Sequence, residues 1–302
     1  MIARRSLLLT AGAAALAGAS RASDVIADPK AALAAIEAGV GGRIGVAALD
    51  TGSGRRLSHR GGERFAMCST FKLMLAALVL ERVDGGELKL DQSIAYGPAD
   101  LLRYAPVTRA HVADGGMRLD GLCAAAVEQS DNTAANLLLR LIGGPAGYTA
   151  GLRRLGDAAT RLDRYETSLN TNLPGDPRDT STPDAMVSTL RKALLGGVLA
   201  PTGAARLIGW MKACATGADR LRAGLPRDWT AGDKTGTGDN GAVNDLAITW
   251  PPGRKPILIV AYMSGSSQPL EALNAAQKQI GAVIASAFAF PSVARAVPAA
   301  AG

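Results

Sequence analysis

The chain has 302 residues, 48% of them hydrophobic and 4% aromatic, with a formal net charge of +7. That length and apolar content suffice for one large core or two joined ones and argue against a disordered chain. No basic run or interleaved aromatic stripe accompanies the positive balance, so a solvated surface accounts for it better than nucleic-acid binding.

Residues 1–22 read as an export leader. ARRS supplies a charged start, LLLTAGAAALAGA an apolar stretch and SRA a small-residue cleavage site near Ala22. Adjacent Arg4 and Arg5 resemble a twin-arginine signal, which carries folded proteins across the bacterial inner membrane. Removing Arg4, Arg5 and Arg21 with the leader leaves +4 on a mature chain beginning near Ser23. No cysteine stands directly after the apolar stretch, which argues against lipid anchoring, and no later apolar run is long enough to cross a bilayer. A periplasmic or secreted, soluble monomer without stable membrane association is expected.

DPKAALAAIEAGVGG reads as a helix capped by Asp28, with Pro29 at its first position and Gly41 and Gly42 at its end. RIGVAALD and RRLSHR, separated by TGSG, read as a hairpin. From Ser69 to about Pro201 almost every periodic segment is helical. WTAGDKTGTG, NDLAITW and PILIVAYMSG then read as strands, and PLEALNAAQKQIGAVIASAFAF as a closing helix. This order predicts an α+β fold in one catalytic domain, residues 23–302. The terminal segments, about 28–66 and 215–290, form a sheet packed by the first and last helices, and about 67–214 form an all-α lobe. A small ligand would bind between the lobes.

Cys68, Cys123 and Cys214 show no short metal-binding or redox spacing, so buried free thiols are the plainer reading, with a single bridge left open. His59 and His111 are the only histidines, which argues against a zinc hydrolase. No metal or cofactor is expected.

In MCSTFKLMLA, Ser69 and Lys72 lie one helical turn apart on one face, so the amine can approach the serine oxygen and activate it. Alone, this is also an ordinary helix cap followed by a lysine. SDN at Ser130 to Asn132 precedes a helix, and KTG at Lys234 to Gly236 lies in a strand. Read singly, Asp131 is a helix cap and Lys234 a surface strand residue. RYETSLN places Glu166 and Asn170 four residues apart in a polar loop from about Arg164 to Asp179, where the two could hold one water for a general base.

Together, in this order, these motifs resemble the class A serine β-lactamases, penicillin-recognising active-site serine enzymes. The resemblance implies a five-stranded antiparallel sheet flanked by helices and hydrolysis of penicillins and cephalosporins through a serine acyl-enzyme, giving antibiotic resistance. It implies that Ser69 is the nucleophile, Lys72 its proton-handling partner, Ser130 the proton donor to the leaving nitrogen, and Glu166 with Asn170 the activator of the deacylating water. Backbone N–H groups of Ser69 and Thr237 would form the oxyanion hole. Asn132 would hold the substrate amide, Lys234, Thr235, Gly236 and Thr237 would line the carboxylate subsite, and Tyr104 would wall the cleft. Arg164 and Asp179 match the ion pair closing the family's omega loop.

The chain departs from the family in three places. Val243 stands where many relatives have a carboxylate-binding arginine, and Arg220 is expected to replace it, with Arg222 more structural. Thr167 stands where many have proline, so a cis 166–167 peptide is not expected. Ala76 occupies the place of the family's disulfide partner for Cys123. The alternatives are a DD-peptidase, which would not need Glu166 and Asn170, and a receptor that stays acylated, which would usually carry a membrane span or signalling domain.

Overall fold

The computed structural model describes residues 28–289, so the leader predicted at 1–22 lies outside the described residues. In chain order, α1 (Pro29–Val40) precedes the hairpin β1 (Arg43–Asp50) and β2 (Arg56–His59), then β3 (Phe65–Ala66) and α2 (Phe71–Asp84). The middle holds β4 (Ser93–Ala95), α3 (Pro106–Ala110), β5 (Gly116–Arg118), α4 (Leu119–Glu128), α5 (Asn132–Leu141), α6 (Gly144–Arg154), β6 (Thr180–Ser181), α7 (Pro183–Leu195) and α8 (Pro201–Lys212). The chain closes with β7 (Thr230–Thr237), β8 (Val243–Trp250), β9 (Ile257–Ser264) and α9 (Leu270–Phe288).

The helix starts follow from local chemistry. Asp28 accepts from the amides of Lys30 and Ala31 at 2.9 and 3.1 Å, and Gly41 ends α1 in the left-handed region at φ 66°. Asp131 caps α5 through the amide of Ala134, and it also accepts from the amides of Val107 and Thr108, at 2.9 to 3.0 Å. That buried carboxylate therefore ties the SDN turn to the α3 segment beside Tyr104. The helical region continues past Pro201 into α8, beyond the stretch whose periodicity signalled helix.

One antiparallel sheet, ordered β2-β1-β9-β8-β7, joins both ends of the chain. The inner strands β1 and β9 read as near-continuous apolar runs because both faces are covered. Ile44, Val46 and Ala48 pack with Leu33 of α1 and Ile280 and Ile284 of α9, while Ala47, Leu49, Val260 and Tyr262 face the core of the helical region. Within that region α2 is central: every residue from Phe71 to Leu80 is buried, as a helix apolar on all sides must be. The site residues lie where α2 and α5 meet the edge strand β7.

Candidate active site

Lys72 enters the helical core with α2, and its side chain is fully excluded from solvent. Burial lowers its pKa, against the opposing attraction of Glu166. Its Nζ lies 2.9 Å from Glu166 Oε1 and donates to Asn132 Oδ1 at 2.5 Å and to the carbonyl of Ser130 at 2.8 Å. The hydroxyl of Ser69 donates to the same Glu166 oxygen at 3.1 Å. Helical spacing predicts that Lys72 approaches Ser69 itself; in the structure both groups converge on Glu166. Ser69 also sits in a 3-10 turn, Cys68–Thr70, ahead of α2 rather than inside it.

The SDN turn brings a second cation to the site. Ser130 adopts the left-handed region at φ 57°, as does Cys68 at φ 47°, and such backbone in residues other than glycine gathers at functional sites. Lys234 Nζ donates to Ser130 Oγ at 3.0 Å, and Lys72 Nζ lies 3.5 Å from the same oxygen. One hydroxyl thus stands between two buried ammonium groups. Burial above all, with a contribution from the charge on Lys72, brings the pKa of Lys234 down to about 8.

Strand β7 can lie against the Ser69 turn because residue 236 is glycine. A Cβ there would sit 2.8 Å from the Met67 carbonyl and 3.1 Å from the Ser69 amide. Arg220 buttresses the strand from the other side. It donates to the carbonyls of Gly236 and Asn244 at 2.8 Å each, to Thr237 Oγ1 at 2.7 Å and to Asn274 Oδ1 at 3.0 Å. All four acceptors are neutral, and burial pulls the Arg220 pKa down. Arg222 instead lies 2.7 Å from the buried carboxylate of Asp233. Thr216 and Thr235 share a hydrogen bond of 2.5 Å that orients the Thr235 hydroxyl.

The loop carrying Glu166 is held at its neck and its middle. Arg164 Nε lies 2.5 Å from Asp179 Oδ2, and Asp179 Oδ1 accepts from the amides of Asp163 and Arg164 at 2.7 and 2.9 Å. Asn136 receives the amide of Glu166 and donates to its carbonyl, each at 3.0 Å. Asn170 Nδ2 donates to Glu166 Oε2 at 2.6 Å, and Asn170 Oδ1 is buried without a protein partner. The Glu166–Thr167 peptide is cis, contrary to the expectation drawn from Thr167. Asn136 and Asn170, rather than a proline, fix the backbone there.

A cleft of about 390 Å³ is lined by Ser69, Tyr104, Ser130, Asn132, Asn170, Thr216, Arg220, Thr235, Gly236, Thr237 and Leu270. Lys72, Glu166 and Lys234 stand behind this lining, so every predicted site residue is at the cleft or buried against it. Tyr104 is half exposed at the rim. A larger hollow of about 790 Å³ on the far side of the loop, near Asn172 to Arg178, contains none of the predicted catalytic residues. The three cysteines are free and buried; burial pushes the Cys68 thiol up, which leaves it a packing group behind Ser69. No metal-binding cluster occurs among the described residues.

Asn136, Thr216, Asn274 and Leu270 are the residues that motif reading missed. Only Asn136 left a signal, lying four residues after Asn132 on one face of α5.

A family model described as the β-lactamase enzyme family matches residues 28–288. The solved structure of an ancestral class A β-lactamase superposes with a TM-score of 0.85 at 54% identity, covering 86% of this chain and 100% of that one. The chain belongs to the class A β-lactamases. It is 49% identical over 253 residues to the β-lactamase AST-1 of Nocardia asteroides, covering 84% of this chain and 81% of that protein. It is 45% identical over 287 residues to a protein of Klebsiella oxytoca named carbapenem-hydrolyzing β-lactamase KPC, covering 94% of each.

In this class A β-lactamase the Asn136 clamp generates a prediction. Asn136→Ala leaves both peptide groups of Glu166 without these partners, and urea unfolding is expected to show a loss of about 2 kcal/mol. Limited proteolysis between 164 and 179 should quicken as well. An unchanged unfolding midpoint with unchanged proteolysis would contradict this role.

Proposed function

We propose that this enzyme opens the β-lactam ring of penicillins and cephalosporins by forming an ester on Ser69 and then hydrolyses that ester with Glu166. The observation that carries the reading is the meeting of Ser69, Lys72 and Asn170 on one carboxylate, at 3.1, 2.9 and 2.6 Å. A receptor that stays acylated would have no use for the Glu166–Asn170 half of that arrangement, and a DD-peptidase would not need it to speed deacylation, which favours β-lactam hydrolysis over both alternatives.

Ser69 Oγ attacks the lactam carbonyl carbon as its proton passes to Glu166 Oε1, the acceptor it already faces. Charge on the carbonyl oxygen develops toward the amides of Ser69 and Thr237, donors that typically contribute on the order of 3 kcal/mol each. As the carbon–nitrogen bond breaks, the proton returns through Lys72 and Ser130 to the ring nitrogen. The 3.5 Å approach of Lys72 to Ser130 Oγ, and the 3.0 Å contact of that hydroxyl with Lys234, support this relay. In the second half, a water between Glu166 and Asn170 gives its proton to the carboxylate and attacks the ester carbonyl carbon; as the bond from that carbon to Ser69 Oγ breaks, Glu166 returns the proton to Oγ, which frees the acid product and regenerates both groups. The free acceptor Asn170 Oδ1 suits that water.

Binding follows the charges. Lys234, Thr235, Thr237 and Arg220 receive the substrate carboxylate, and Gly236 keeps the strand close enough for them to do so. Lys72 occupies Asn132 Oδ1, which leaves the Asn132 amide nitrogen for the carbonyl of the acyl side chain. Tyr104 borders that side chain. We also infer that the enzyme acts outside the cytoplasm, in the periplasm or secreted, from the leader-like residues 1–22 with their Arg4–Arg5 pair. No helix among the described residues is long and apolar enough to cross a membrane.

Two outcomes test the reading. The parent should turn over a chromogenic cephalosporin, Ser69→Ala should not, and Glu166→Ala should accumulate a covalent adduct visible by mass spectrometry; stoichiometric acylation of the parent without turnover would refute hydrolysis. Because Lys234 loses its proton near pH 8, kcat/KM for benzylpenicillin should fall as pH rises through about 8. Lys234→Arg should move that limb upward, and an identical alkaline limb in both enzymes would remove Lys234 from the carboxylate subsite.

A further inference from the structure

The cleft continues beyond Arg220. Leu270, the first residue of α9, is 49% exposed although its side chain is large and apolar. It lines both the catalytic cleft and a second hollow of about 550 Å³. Asp219, from the turn that carries Arg220, forms one wall of that hollow, and Glu271, Asn274 and Lys278 of α9 form the other. Asn274 ties this hollow to the site through its hydrogen bond with Arg220. Asp219 and Glu271 are exposed, and neither belongs to an ion pair among the described residues.

We propose that this hollow is a substrate subsite for the substituent on the cephalosporin ring carbon next to the carboxylate-bearing carbon, and that Asp219 and Glu271 make it select cationic substituents. The inference rests on the substrate orientation given above. With the carboxylate at Lys234, Thr235, Thr237 and Arg220 and the acyl amide at Asn132, that ring carbon is directed to the Leu270 end of the cleft. A substituent leaving it crosses Leu270, which covers the apolar linker, and reaches two carboxylates opposed by a single ammonium. Penicillins carry only methyl groups beside the carboxylate and do not extend that far. Glu271 also lies in the first turn of α9, where a negative charge favours the helix; that effect is the same for every substrate and cannot alter a ratio between two of them.

The test uses two cephalosporins with the same acyl side chain, one bearing a vinyl-linked N-methylpyridinium cation at this ring carbon and the other the uncharged vinyl-linked pyridine. The readout is the ratio of kcat/KM for the cation over the neutral compound near neutral pH. In the parent the ratio should exceed one and shrink as ionic strength rises from about 0.01 to 1 M, because exposed charges are screened. In Asp219→Asn/Glu271→Gln it should fall by about threefold to tenfold. The same ratio in parent and variant, or a parent ratio insensitive to salt, would overturn the subsite. Benzylpenicillin separates the two levels: no turnover by the parent rejects the underlying reading, whereas turnover with an unaltered ratio rejects the subsite alone.

Discussion

The site depends on one buried ion pair whose partners come from different parts of the chain. Lys72 rides on the central helix, Glu166 on a long loop, and their side chains meet at 2.9 Å with no exposure to solvent. Removing two such ions from water costs several kcal/mol each, an expense recovered only when geometry is good and the remaining protons and lone pairs are satisfied. Here they are satisfied: Asn132 and the Ser130 carbonyl accept from Lys72, while Ser69 and Asn170 donate to Glu166. The groups proposed to be catalytic are therefore also the groups that make the buried pair tolerable.

Other features follow from that requirement. The loop must be held at Arg164–Asp179 and at Asn136, because a carboxylate free to swing would leave an unpaired ammonium in the core. The edge strand must come close to the Ser69 turn, which only a glycine at 236 allows. A second buried lysine, Lys234, and the buried Arg220 then bring more positive charge to a site largely shielded from water. An anionic substrate, and negative charge developing on its carbonyl, are what such a site is built to receive.

Much of this was legible in the residues themselves. Asp28, Pro29 and Gly41 announced a helix, and the apolar runs at 43–50 and 257–264 announced strands, because the chemistry of a cap or of an apolar run is local. The three short motifs and Glu166 pointed, through their order, to residues that the fold gathers at one cleft. What was hidden depended on distance in space. Asn274 and Thr216 gain meaning only when α9 and the turn before Arg220 fold against β7, and nothing in their own neighbourhoods marks them. The cis peptide after Glu166 was misjudged for a similar reason: residue type at 167 argued for trans, while the clamp from Asn136 lies thirty residues away. Likewise, the Ser69–Lys72 spacing was read as a direct contact, but the loop inserted Glu166 as the shared partner.

The most direct test of this account is a double-mutant cycle on the unfolding free energy with Lys72→Met, Glu166→Gln and the double variant. If the buried pair organises the site, the two substitutions are strongly non-additive, with a coupling of about 2 kcal/mol or more. Additivity to within about 0.5 kcal/mol would contradict the account, since Lys72 and Glu166 would then be independent neighbours.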